Sequence, residues 1–104
     1  MGLFDFFKAP DITGLADSAA ENGARLVDVR TPEEYAQGHI NGSINVPLDT
    51  LPGGAGMIGK QEKIYVYCRS GARSGRAADI LNHSGYTDVT NIGGIMNYRG
   101  KLSV

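Results

Sequence analysis

The sequence contains no tryptophan and a single cysteine, Cys68. One thiol excludes an internal disulfide framework and every metal site built from several cysteines. Any role for Cys68 is therefore the role of a thiol. Charge of one sign is not in excess either. Ten basic and eleven acidic residues leave a net charge of −1, which removes the global attraction that nucleic-acid binding uses. No run approaches the ~20 apolar residues of a membrane span. The opening Met1-Gly2-Leu3-Phe4-Asp5-Phe6-Phe7-Lys8 lacks the basic stretch and long apolar core of a signal peptide. Phe6 also stands where a myristoylation signal carries Ser or Thr. A cytoplasmic location is expected, with neither nucleic acid nor membrane as partner. Only four prolines and no repeated tract argue against a collagen-like or low-complexity chain.

Glycine, by contrast, is plentiful, at 15 of 104 residues, roughly twice ordinary usage. The length suits one domain with one core. Residues 1–10 read as an N-terminal arm, its Leu3, Phe4, Phe6 and Phe7 docked on a domain spanning 11–104. Charge is unevenly placed. Residues 1–50 hold three basic and eight acidic residues, whereas 51–104 hold seven basic and three acidic. The densest basic patch, Arg69, Arg73 and Arg76, directly follows Cys68. A small anion beside a thiol fits that pattern.

Short apolar runs alternate with helical patterns bounded by glycine, which indicates an α/β fold. Residues 11–14 suggest a brief edge element, with Thr13 capping a helix over about 14–22. Leu26-Val27-Asp28-Val29 reads as a strand. Thr31-Pro32-Glu33-Glu34 then supplies a capping residue, a proline at the first helical position and a capping box, predicting a helix to about Gln37. Gly38 and Gly42 bracket a tight loop, and Ile44-Asn45-Val46 reads as a short strand. Residues 49–59 suggest a packed turn broken by Pro52, Gly53, Gly54 and Gly56. Ile64-Tyr65-Val66-Tyr67 is the clearest buried strand. A helix follows from Gly71 to about Ser84, with Gly85 at its end. A last strand near Asp88-Val89-Thr90 and a helical turn between Gly93-Gly94 and Tyr98 complete the reading.

The chemistry is expected where strand 64–67 stops. Ligands of open α/β sheets bind at the carboxyl ends of strands, and helix N-termini favour anions. Cys68-Arg69-Ser70-Gly71-Ala72-Arg73 runs from such a strand end into such a helix start. Cys68 is the candidate nucleophile, its thiolate favoured by that setting. Gly71 permits a positive φ, so that successive amides of Arg69, Ser70, Gly71, Ala72 and Arg73 turn inward as a cradle. Arg73 is expected to turn toward the loop, while Arg76 is spaced to pair with Asp79. Asp28 and Arg30 flank Val29 and are expected to form an ion pair that shapes the loop as structural support.

Four stretches together resemble the rhodanese family of sulfurtransferases, in particular its small phage-shock-type members. They are Leu26-Val-Asp-Val-Arg-Thr-Pro-Glu-Glu-Tyr35, Gly38-His-Ile-Asn-Gly-Ser-Ile-Asn-Val-Pro47, Tyr65-Val-Tyr-Cys-Arg-Ser-Gly-Ala-Arg-Ser74 and Gly93-Gly94. The resemblance covers almost everything from Asp11 onward. It implies a rhodanese-like central parallel sheet of about five strands flanked by helices. It also implies that Cys68 carries a persulfide and that the 69–73 cradle holds it and a departing anion. His39 falls in a Gly-His-Ile segment that the resemblance makes structural. One departure is Tyr98, where many relatives carry Trp.

The expected reaction is thiosulfate-type sulfur transfer, from a small anionic sulfur donor to a cyanide or thiol acceptor, including a protein thiol. It calls for no cofactor and no metal. A monomer is expected. A persulfide carrier or docking module is the alternative, since it needs the same cysteine. A phosphatase or arsenate reductase of the same fold fits less well. Phosphate-cleaving loops use Cys-x5-Arg, whereas Cys68 to Arg73 is Cys-x4-Arg, a smaller enclosure suited to one extra sulfur.

Overall fold

The computed structural model describes residues 10–104. The arm expected over residues 1–10, with its Leu3–Phe7 cluster, lies outside them but for Pro10. Strands β1 (Ala24–Asp28), β3 (Ile44–Asn45), β4 (Lys63–Cys68) and β5 (Asp88–Gly94) form one parallel sheet in the order β3-β1-β4-β5. Helices α1 (Thr13–Asp17), α2 (Pro32–Gln37) and α3 (Ala72–His83) complete the α/β architecture. Parallel strands are buried on both faces and so read as continuous apolar runs. In β4, Ile64, Val66 and Cys68 enter one core layer with Val27, Val29, Ala77 and Leu81. Tyr65 and Tyr67 enter the opposite layer with Ile12, Ala16, Leu26 and Ile40. The two-residue period of the strand thus decides which side the thiol faces.

The sheet has four strands rather than about five. His39–Ile40, expected as part of a loop, forms β2 and pairs antiparallel with β6 (Leu102–Ser103). The Ile40 N–H donates to the Tyr67 hydroxyl at 3.1 Å, a side chain of β4 rather than the backbone of the main sheet. Helix α1 is shorter than expected, and Thr13 does not cap it. The Thr13 N–H donates to Asp11 Oδ1 at 2.9 Å, and the Thr13 hydroxyl accepts from Arg99 N–H at 2.8 Å. Helix α2 matches its sequence signals. The Thr31 hydroxyl accepts from Glu34 N–H at 3.2 Å, and Glu34 Oε1 accepts from Thr31 N–H at 3.2 Å. Tyr98 packs against the α1-side layer and donates to Asp17 Oδ1 at 2.6 Å.

Strand β5 is longer than the three residues expected, because Gly93 and Gly94 belong to it. Its pairing with β4 slips between Val66 and Tyr67, leaving Ile92 opposite no residue. This bulge bends the end of β5 under the loop that leaves β4. A Cβ placed on Gly94 would collide with the Arg69 carbonyl oxygen and lie 2.6 Å from Ser70 Cα. Only glycine allows that approach. Gly94→Ala is expected to lower stability by about 2 kcal/mol through overpacking, seen as a lower midpoint of chemical denaturation.

Candidate active site

Cys68 ends β4, and its side chain is 1% exposed. The chain then turns through Gly71 at φ 107° into α3. That left-handed residue aims its own N–H at the Cys68 sulfur, 3.0 Å from Sγ. The Ser74 hydroxyl, one turn into α3, lies 3.4 Å from the same sulfur. Burial alone pushes the thiol up. The Ser74 hydroxyl and the N–H groups of Ser74, Gly71 and Ser70 outweigh it, and the Cys68 thiol sits below its ordinary value. An oriented set of donors around a desolvated sulfur is an arrangement that holds a thiolate, or a charged sulfur attached to it.

Of the three arginines grouped by the charge pattern, Arg69 opens onto one cleft and Arg73 and Arg76 onto another. Arg69 is exposed and lines a cleft of about 410 Å³ with Gly38, Ile95, Met96 and Leu102. Arg73 lines a larger one, about 630 Å³, with Val29, Leu48 and Arg76. The Arg73 guanidinium does not turn into the loop as expected. Its Nη1 and Nη2 donate to the two carboxylate oxygens of Glu34 at 2.6 and 3.0 Å. A planar fork meets a carboxylate in two parallel bonds, so the α2 carboxylate outcompetes the loop for it. Arg73 remains near enough for its charge to interact with Cys68. Arg76 makes no ion pair with Asp79 among the described residues.

Asp28 and Arg30 form a buried pair at the end of β1, 2.7 Å from Nη2 to Oδ2. Asp28 Oδ1 also accepts from the Arg30 backbone N–H at 2.8 Å, and Arg30 Nη2 donates to the Gly38 carbonyl at 2.7 Å. Asn45 Nδ2 donates to the carbonyls of both residues at 3.0 Å. The pair thus ties β1, β3 and the corner after α2 together. His39 stacks on Tyr35 with ring centroids 3.7 Å apart and donates from Nδ1 to the Tyr35 carbonyl at 2.8 Å.

Three residues around the thiol escaped the sequence reading. Glu34 appeared there only as half of a capping box, a local pair; its bond to Arg73 spans 39 positions. Ser74 is fully buried, and its spacing from Gly71 and from the core positions Ala77, Ala78 and Leu81 carried the signal. Asn91 had no signal within β5. Its Oδ1 accepts from the Ser74 hydroxyl at 2.7 Å and from Gly93 N–H at 3.0 Å, while Nδ2 donates to the Gly71 carbonyl at 3.0 Å.

The Arg73 bond holds the Glu34 carboxyl down at about 2, against an ordinary 4.5. A depressed carboxyl stabilises the fold above its unfolded value and loses that contribution as pH falls toward 2. About a third of each side chain is exposed, 35% for Arg73 and 30% for Glu34, so screening reduces the effect to about 1–2 kcal/mol. Glu34→Gln keeps an acceptor for the capping box. It is expected to cost that amount at pH 7, and the gap from wild type should close as denaturation is repeated toward pH 2.

The Rhodanese-like domain family matches residues 12–101. The thiosulfate sulfurtransferase PspE of Escherichia coli is 42% identical over 71 residues, covering 66% of this chain and 68% of that protein. The YqhL protein of Bacillus subtilis is 41% identical over 80 residues, 76% of this chain. The match spans 64% of YqhL, slightly less than two thirds of its length. Among solved structures, an Escherichia coli rhodanese with bound anions superposes with a TM-score of 0.67 at 36% identity, covering 77% of this chain and 96% of that one. With its sheet, its cysteine loop and these relatives in agreement, the chain belongs to the rhodanese-like domain family.

Proposed function

We propose that the protein transfers a sulfane sulfur from thiosulfate or a similar donor, through a persulfide on Cys68, to cyanide or a thiol. The observation that carries this reading is the Gly71 N–H directed at the Cys68 sulfur, with the Ser74 hydroxyl beside it. The thiolate attacks the outer sulfur of the donor. A new S–S bond forms, the donor's S–S bond breaks, and sulfite leaves with the bonding electron pair. Cyanide or an acceptor thiolate then attacks the terminal sulfur and regenerates the Cys68 thiolate. Each step exchanges one anion for another, so the donors of residues 69–73 keep their alignment throughout.

In this reading Arg69, unpaired among the described residues, meets the charge of the donor. Arg73 acts through its field, and the backbone of Ser70, Gly71 and Ala72 completes the cradle. Asp28, Arg30 and His39 support the walls. The near-complete burial of Cys68 favours a donor whose terminal sulfur leads the way in. With no second cysteine in the chain, the accepting thiol comes from another molecule. Cytoplasmic placement belongs to the same reading, since acceptor thiols there are kept reduced. No helix among the described residues is long and apolar enough to cross a membrane.

Incubation with thiosulfate is expected to add the mass of one sulfur atom to the intact protein, and cyanide to remove it. Cys68→Ser should abolish both changes. Arg69→Ala should raise KM for thiosulfate about tenfold, the loss of one charge-assisted contact, with the melting temperature unchanged. Hydrolysis of a phosphate monoester without any uptake of sulfur would overturn the reading.

A further inference from the structure

The side chain of Asn91 is exposed, yet its amide makes three hydrogen bonds on one side of the cysteine loop. Two backbone groups decide its orientation. The Gly71 carbonyl accepts only from Nδ2, and the Gly93 N–H donates only to Oδ1. Oδ1 therefore faces Ser74, 2.7 Å from its hydroxyl oxygen. Ser74 has one hydroxyl proton and several acceptors around it. Asn91 Oδ1 is the nearest, and the Cys68 sulfur lies at 3.4 Å. One rotation about the Cβ–Oγ bond carries that proton from the amide oxygen to the sulfur.

We propose that Asn91 is a positioning residue for Cys68: one amide holds Gly71 and Ser74, two of the groups whose hydrogens reach the sulfur. The inference rests on Cys68 being the reacting thiol of the proposed function. Gly71 donates from its N–H to Sγ while Asn91 grips its carbonyl. The left-handed backbone of Gly71 is thereby held from both sides. Ser74 is kept at a distance where its proton turns to the sulfur once the thiol ionises. Asn91 touches no reacting atom and works through these two neighbours alone.

None of the charged groups around the cysteine loop is bonded to Asn91. From β1 they are Asp28 and Arg30, bonded to each other. From α2 and α3 they are Glu34 and Arg73, also paired. Arg69 follows in the loop, and Tyr67 precedes on β4. A displaced ionisation of Cys68 in an Asn91 variant is thus a matter of its hydrogen-bond donors.

The test is the pH profile of Cys68 alkylation by iodoacetamide, which needs no sulfur donor. Asn91→Ala removes an exposed side chain and opens no core cavity, so the variant should still fold, with a melting temperature lowered by the hydrogen bonds it gives up. Its alkylation midpoint is expected about one pH unit higher, with about tenfold slower alkylation below the midpoint, as Gly71, released at its carbonyl, donates less well to the charged sulfur. Ser74→Ala should shift the midpoint the same way. The double variant should shift it no further than the larger single effect, because both act on one donor set. An unchanged or lowered midpoint in Asn91→Ala overturns the inference, as does full additivity. Thiosulfate loading of the wild type separates the two readings. A wild type that takes up no sulfur while Asn91→Ala still shifts the midpoint ends the proposed function and leaves the positioning role standing. Normal loading with an unmoved midpoint does the reverse.

Discussion

The loop that holds Cys68 lies against the backbone of Gly94 more closely than any side chain permits, and the arrangement of donors depends on that contact. The bulge in β5 brings Gly93 and Gly94 beneath residues 69–71. Met96 N–H then donates to the Arg69 carbonyl at 3.1 Å. With that carbonyl occupied, the amides that follow are free to point inward. Gly71 completes the turn in the left-handed region, and α3 begins on the other side of the thiol.

Cys68 shows two effects in opposition. Desolvation at the end of a buried strand disfavours a charged sulfur, and a set of aimed hydrogens favours it. The donors win because the backbone N–H groups are already aimed and Ser74 needs only one bond rotation when the charge appears. The fold meets this cost through contacts with no chemistry of their own. The apolar layer of Val27, Val66, Ala77 and Leu81 holds β4 and α3 in register. The Asp28–Arg30 pair fixes the neighbouring strand ends. Removing one partner of such a buried pair costs several kcal/mol, because the other charge is left alone.

Glu34 joins distant parts of the site. Its carboxylate closes the capping box of α2 and at the same time receives the Arg73 guanidinium from the first turn of α3. Arg30 and Glu34 line the cleft that carries Arg69, and Arg30 and Arg73 line the larger one. Among the described residues Arg69 makes no ion pair and lies beside the exposed Met96 and Leu102, whereas Arg73 in the larger cleft is paired with Glu34.

Local patterns carried much of this. The apolar alternation of 64–67, the capping box at Thr31–Glu34 and the glycine after the cysteine each act within a few residues, and each element formed where its pattern lies. The expected Asp28–Arg30 pair formed too, being two residues apart. Long-range choices were hidden. A two-residue strand at His39 has no periodicity to show, and its partner β6 lies about 60 positions away. The competition for Arg73 was settled by a carboxylate on another helix, and the competition for the Ser74 hydroxyl by an amide from β5. The sequence by itself determined the class of fold and the conformation of the cysteine loop, because strand period, capping and glycine torsions are local. Tertiary structure alone decided which side chains touch that loop, because a hydrogen bond goes to whichever partner the packed chain brings within about 3 Å.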